Sequence, residues 1–196
     1  MAKYSNNLDV VNYRAMLHLI GFLKGTSNRS LKFSSNLKNS PTYKILMENN
    51  ITINEDTVTT FSDSSWNDCV NTGRNTGGNI TTIQGGPVDH SSHLPIPVAI
   101  SRGGAEYISA AVACIRASHL CMLTYDLKYL VTPKYDEDNL DFEPAKIIID
   151  NEAAICMAKY NKDSSAGNRH VARRFHYIRQ GTALKEHNFE WIATKF

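Results

Sequence analysis

The sequence predicts an α/β fold, a mixed sheet with helices packed on it. Two observations carry this. Short strand-like runs joined by turn-rich segments come first, and helical and strand-like patterns alternate afterwards. The most apolar strand, Ile147-Ile148-Ile149, lies in this second half, as a strand buried on both faces would. At 196 residues the chain suits one ordinary domain with an attached segment.

The elements follow in order. Residues 8–24 have helical periodicity, with Leu8, Val11, Ala15, Leu19 and Phe22 on one face and Gly25 as a stop. That face needs a partner, in this chain or upstream of it. Ser30–Phe33 reads as a short strand, and residues 34–57, rich in Asn and Ser, as a loop or insertion. Thr57–Ser62 is strand-like and ends at Asp63. A turn-rich connection with three glycines and four asparagines follows. Ile80–Gln84 and Pro97–Ser101 read as further strands, separated by Gly85-Gly86-Pro87. A long helix runs from about Ala105 to Leu123, with Ile108, Ala111, Val112, Ile115 and Met122 on its buried side. Residues 131–145 are acidic and proline-bounded, a surface loop. Lys146–Asp150 is a strand, 151–160 and 168–180 are helices, and Asn188–Ala193 is a last strand.

Composition excludes several classes. Apolar content of 42% with 20% charged residues describes a globular chain. A net charge of +2 is too small to argue for nucleic acid, so any basic surface must be local. Cys69, Cys114, Cys121 and Cys156 form no C-x-x-C pair, so neither zinc nor a disulfide scaffold is expected. No apolar stretch reads as a membrane span and no signal peptide is visible, which points to an intracellular protein, cytoplasmic or nuclear.

Three carboxylates stand at special places. Asp63 ends a strand, Glu106 lies in the first turn of the long helix, and Asp150 ends the most apolar strand. Carboxylates closing buried strands point into the crevice at a sheet edge. Several together suit Mg²⁺, a hard ion that prefers oxygen ligands. An aspartate after a strand also serves as a helix N-cap, and a glutamate in a first turn as a dipole partner.

Six short motifs then resemble one family. Phe61-Ser62-Asp63-Ser64-Ser65-Trp66 is similar to S-D-A-D-W of the copia-type retroelement RNase H. Arg74-Asn75-Thr76-Gly77-Gly78 resembles R-S-T-S-G, and Gly85-Gly86-Pro87-Val88 with Ser91-Ser92 resembles G-G-x-I-x-W-S-S. Ala105-Glu106-Tyr107-Ile108-Ser109 resembles A-E-Y-I-A, Ile149-Asp150-Asn151-Glu152-Ala153-Ala154-Ile155 resembles C-D-N-Q-S-A-I, and Arg169 to Arg179 resembles K-H-I-D-I-R-Y-H-F-I-R. Leu23-Lys24-Gly25-Thr26 is similar to the Y-L-K-G-T that follows the reverse transcriptase in these polyproteins.

The resemblance implies an RNase H-like fold, a five-stranded mixed sheet flanked by helices, with the final C-terminal helix missing. It divides the chain into a reverse-transcriptase tail (1–33), the loop or insertion (34–57) and a truncated nuclease domain (58–196). It implies metal-dependent cleavage of RNA in RNA–DNA hybrids, with Asp63, Glu106 and Asp150 holding two Mg²⁺ or Mn²⁺ ions. The family's fourth aspartate belongs to an A-D-x-L-T-K motif that would begin at Thr194-Lys195-Phe196. Ser64 and Asn151 are expected donors to the hybrid, with turn or cap as their other role. Arg169, Arg173 and His176 form a basic stripe facing phosphates or solvent, and His170 is expected to help release product or to be structural. Gly103-Gly104 stands where the family has a serine-rich helix start, so a frayed turn that blurs Glu106 is expected. The partners would be the hybrid and the reverse transcriptase of the same polyprotein, with no membrane. The alternative is an inactive, truncated remnant that binds nucleic acid or only supports a neighbouring reverse transcriptase.

Overall fold

The computed structural model describes residues 9–66, 72–95, 98–131, 143–159 and 172–193. The chain divides into two compact units, 1–32 and 33–196. The first contains helix α1, Val10–Gly25, which the Asp9 carboxylate caps by accepting from the Asn12 N–H at 2.7 Å. The predicted helix is there, but it contains no buried residue, so the expected burial of its Val11, Leu19 and Phe22 face is not observed. Leu8 lies outside the described residues. Ser30–Phe33 is not a strand.

The second unit is built on a five-stranded sheet in the order β3-β2-β1-β4-β5. Its strands are β1 (Thr59–Ser65), β2 (Thr76–Ile83), β3 (Gly86–His93), β4 (Ala145–Ile149) and β5 (His187–Trp191). β1, β2 and β3 pair antiparallel, whereas β4 runs parallel to both β1 and β5. This is the mixed sheet the resemblance implies. The remaining helices are α2 (Pro41–Glu48), α3 (Arg102–Val131), α4 (Glu152–Lys159) and α5 (Ala172–Ala183). Any helix after β5 lies outside the described residues, as do residues 132–142 of the expected acidic loop.

β4 is the centre of gravity. Ile147 and Ile149 join Ala105, Ile108, Ala110, Ala111, Ile178 and Phe189 in the main core. Ile148 points to the opposite face and packs with Leu46, Ile51 and Phe61. Alternating side chains explain why one apolar run serves two cores. Burying each of these isoleucines is worth about 1.5–3 kcal/mol.

The second face corrects the sequence reading of residues 34–57. That segment holds a 3₁₀ turn, Leu37–Asn39, and helix α2. Ser40 caps α2 through the Thr42 N–H, and Pro41 occupies its first turn, where a missing N–H costs nothing. Ser40 and Thr42 also donate to the Gly85 carbonyl at 2.9 and 3.1 Å, tying α2 to the β2–β3 hairpin. Gln84 and Gly85 both have positive φ, as a two-residue hairpin turn requires, and a Cβ on Gly85 would meet the Ser40 side chain at 2.0 Å.

Three strand assignments also change. β2 begins at Thr76, inside the segment read as a turn-rich connection. Gly86-Pro87 opens β3 and is not a separator. Pro87 is tolerated because β3 is an edge strand, and the register shifts beside it between Thr81 and Thr82. Residues 98–101 of the expected fourth run carry no strand.

Helix α3 is longer than predicted at both ends. Ile108 and Ala111 are buried and Val112 half-buried, but Ile115 and Met122 are exposed. The buried stripe instead runs through alanines 105, 110, 113 and 117 and Cys114, small residues that bring the helix close to the sheet. Among the described residues, Arg102–Leu127 of α3 is long and apolar enough to cross a membrane, contrary to the sequence reading. Here it is the central helix of the core. Deep burial pushes the Cys114 thiol far up, and Cys121 to about 11, so neither behaves as a reactive thiolate.

Candidate active site

The parallel arrangement brings the C-terminal ends of β1, β4 and β5 to one edge of the sheet. β1 starts at Thr59 and runs past the expected end to Ser65, so Asp63 lies inside it, paired with Gly78, while Asp150 directly follows β4. Glu106 comes down from α3. One carboxylate oxygen from each of the three lies within 4.8 Å of the other two. Asp63 is exposed, Asp150 half-buried and Glu106 fully buried.

The entrance to α3 is ordered differently from the expectation. Gly103 and Gly104 lie inside the helix. Ser101 caps it, accepting from the Gly104 N–H at 3.1 Å through its hydroxyl and from the Ala105 N–H at 3.0 Å through its carbonyl. A Cβ on Gly103 would stand 3.6 Å from Ala153 and Met157, an ordinary contact distance, so this turn of α3 already packs against α4. The pair costs helix propensity, yet cap and packing hold the turn that carries Glu106.

Glu106 is electrostatically unusual. Burial, then Asp63, then Asp150 raise its pKa to about 7, against a smaller opposing pull from the Ser64 N–H and hydroxyl. Neither of its oxygens makes a close hydrogen bond among the described residues. A buried carboxyl facing two others, with its oxygens uncommitted, fits a divalent cation. The donors are hard oxygens, and a bound cation would reverse the repulsion that now holds the proton on Glu106.

The other expected site residues separate. Ser64 is buried and turned toward Glu106, because β1 alternation puts residues 60, 62 and 64 on the α3 side. Its hydroxyl is buried in this arrangement. Asn151 caps α4, accepting from the Ala154 N–H at 3.1 Å. His176 is exposed on α5. Arg173 lies on the same helix, its side chain outside the described residues, and Arg169 and His170 are outside them altogether.

Two residues the sequence reading missed touch the aspartates. Ser109 Oγ donates to the Asp63 carbonyl at 3.0 Å, and the Trp191 Nε1–H donates to the Asp150 carbonyl at 3.1 Å. Their targets are main-chain oxygens, which leave no mark in side-chain spacing.

No protein-family model and no curated protein sequence matches the chain. Among solved structures it is similar to RNase H1 from the archaeon Halobacterium salinarum, at 16% identity and a TM-score of 0.42, over 70% of this chain and 83% of that one. It is also similar to the N-terminal RNase H domain of rv2228c from Mycobacterium tuberculosis, solved as a maltose-binding-protein fusion, at 10% identity and 0.44, over 70% and 84%. A third is LC11-RNase H1 in complex with an RNA/DNA hybrid, at 16% identity and 0.41, over 70% and 85%. Likeness of this degree assigns neither a family nor an activity.

Proposed function

We propose that the chain is a metal-dependent endoribonuclease that cleaves RNA in RNA–DNA hybrids. The observation that carries this is the meeting of Asp63, Glu106 and Asp150, with ligand oxygens within 4.8 Å, where β1 and β4 end. The six motifs that resemble copia-type RNase H support the finer reading: the nuclease portion of a retrotransposon Pol polyprotein, working inside the cell beside its reverse transcriptase, with Mg²⁺ or Mn²⁺.

The three carboxylates would hold the cation, two ions in the reading the resemblance favours. Bound there, it would supply Lewis-acid polarisation of the phosphodiester and a lowered pKa for an attacking water. Glu106 would be held by the cation in its deprotonated form, so metal and proton would compete for this group. Exposed Asp63 faces solvent, where a substrate phosphate can approach, while buried Glu106 fixes the back of the site. Of the expected nucleic-acid contacts, Arg173 and His176 both belong to α5, and an arginine there would suit the hybrid's phosphates.

The test is cleavage of an end-labelled RNA strand annealed to DNA. With Mg²⁺ or Mn²⁺ the chain should cut the hybrid, and chelation should stop it. Asp63→Asn should lower the rate by about 10³-fold or more, since several kcal/mol of charge stabilisation is lost. Metal-loaded protein that leaves the hybrid intact, or cutting that survives Asp63→Asn, refutes the reading.

A further inference from the structure

We propose that Ser109 and Trp191 are positioning residues that hold the main chain under Asp63 and Asp150 and so set the spacing of the cation-binding carboxylates. This rests on the metal-site reading above.

Ser109 is fully buried on α3, three residues after Glu106, and hence on the same side of the helix. Its hydroxyl donates to the Asp63 carbonyl at 3.0 Å and accepts from the Ser62 hydroxyl at 3.1 Å. One turn of α3 thus carries one carboxylate and grips the strand that carries another. Gly77, on the neighbouring strand, leaves room for this contact. A Cβ there would stand 3.0 Å from Ser109 Oγ and 2.8 Å from the His93 ring.

Trp191 does the same from the other side. It pairs with Ile149 at the end of the parallel β4–β5 ladder, and the Ile192 N–H donates to the Ile149 carbonyl at 3.1 Å. Asp150 is the first residue beyond β4, where strand pairing no longer fixes the chain. The Trp191 indole N–H takes its carbonyl at 3.1 Å, and Asn151 turns at once into the α4 cap. Each aspartate backbone is therefore tied to a different element from the one that bears it. Groups that orient the ligands of a metal site affect affinity without touching the ion.

The test is calorimetric titration of the full chain with Mn²⁺ alone. Ser109→Ala and Trp191→Phe each delete one donor and keep the packing nearly intact. Each should weaken Mn²⁺ binding about tenfold. Trp191→Phe should leave the thermal midpoint nearly unchanged, whereas Ser109→Ala, which strands the buried Ser62 hydroxyl, should also lower it. Ser118→Ala and Trp66→Phe are the controls. The first removes an α3 hydroxyl that bonds Tyr177 and His187 and no aspartate, and the second alters the other tryptophan; both should bind Mn²⁺ as the parent does. Unchanged affinity in Ser109→Ala and Trp191→Phe overturns the inference, as does equal weakening in all four, which would mark general loosening. If the parent binds no Mn²⁺, the metal-site reading itself has failed and the inference falls with it. If the parent binds and Asp63→Asn does not, the reading stands and the variants decide the inference alone.

Discussion

On the helix-covered face of the sheet, β4 and β5 contribute Ile147, Ile149 and Phe189 to an apolar core. On the same face, β1 and β2 offer Thr60, Ser62, Ser64 and Thr81. Both halves are buried, but they are held differently. The apolar half gains from area removed from water and tolerates small shifts. The hydroxyl half gains little net free energy per bond, but each bond fixes a distance. The candidate site stands where the two meet, with Asp150 just beyond the apolar strand and Asp63 in the hydroxylated one, two residues before its end. Stability and geometry are thus supplied by different sides of one layer.

The largest expected effect breaks the apolar half. Ile147→Ala, at a side chain with no exposure, should cost about 2–5 kcal/mol by leaving a cavity. Urea unfolding measures it, and a loss below about 1 kcal/mol would mean that β4 is not the core of the fold.

The next effect belongs to the junction. Glu106 has a folded pKa raised to about 7 from an ordinary 4.5. Between these values the folded state binds more protons than the unfolded one. The stabilisation that the proton permits is therefore present below about pH 4.5 and lost as pH rises through 7. Without metal, the parent should lose roughly 3 kcal/mol relative to Glu106→Gln between pH 4.5 and 8. The difference between the two proteins isolates this group from the others that titrate. Added Mg²⁺ or Mn²⁺ should restore the stability at pH 8.

The smallest effect probes the hydroxyl half. Thr60 and Thr81 share a buried hydrogen bond at 3.0 Å. Thr81→Val should cost about 1–3 kcal/mol because it strands the Thr60 hydroxyl, while Thr60→Val with Thr81→Val together should recover most of that loss. A double variant as unstable as the sum of the singles would show that these hydroxyls do not act as a pair.

What could be read from the sequence divides along similar lines. The apolar run of β4 and the long α3 announce themselves by composition and period, and the three carboxylates sit at the ends those elements define. α2 was hidden among asparagines and serines, although Ser40-Pro41 is a helix-start signal. β3 was hidden because its inward positions, Pro87, Asp89, Ser91 and His93, show no apolar alternation, and because an edge strand can carry Pro87. Ile115 and Met122 fit a helical stripe but lost their places to alanines that allow closer packing. Ser101 closes an expected strand on paper and caps a helix in fact. The hydrogen bonds of Ser109 and Trp191 to main-chain oxygens depend on tertiary contact, which local pattern does not encode.

The central claim is that Asp63, Glu106 and Asp150 form one electrostatic unit. The most direct measurement is an NMR titration of the Glu106 side-chain carboxyl in metal-free protein, in the parent and in Asp63→Asn with Asp150→Asn. The account predicts a midpoint near pH 7 in the parent, a lower one in the double variant, and no titration in this range once Mn²⁺ or Mg²⁺ is bound. A Glu106 midpoint near the ordinary 4.5, indifferent to both aspartates, would contradict it.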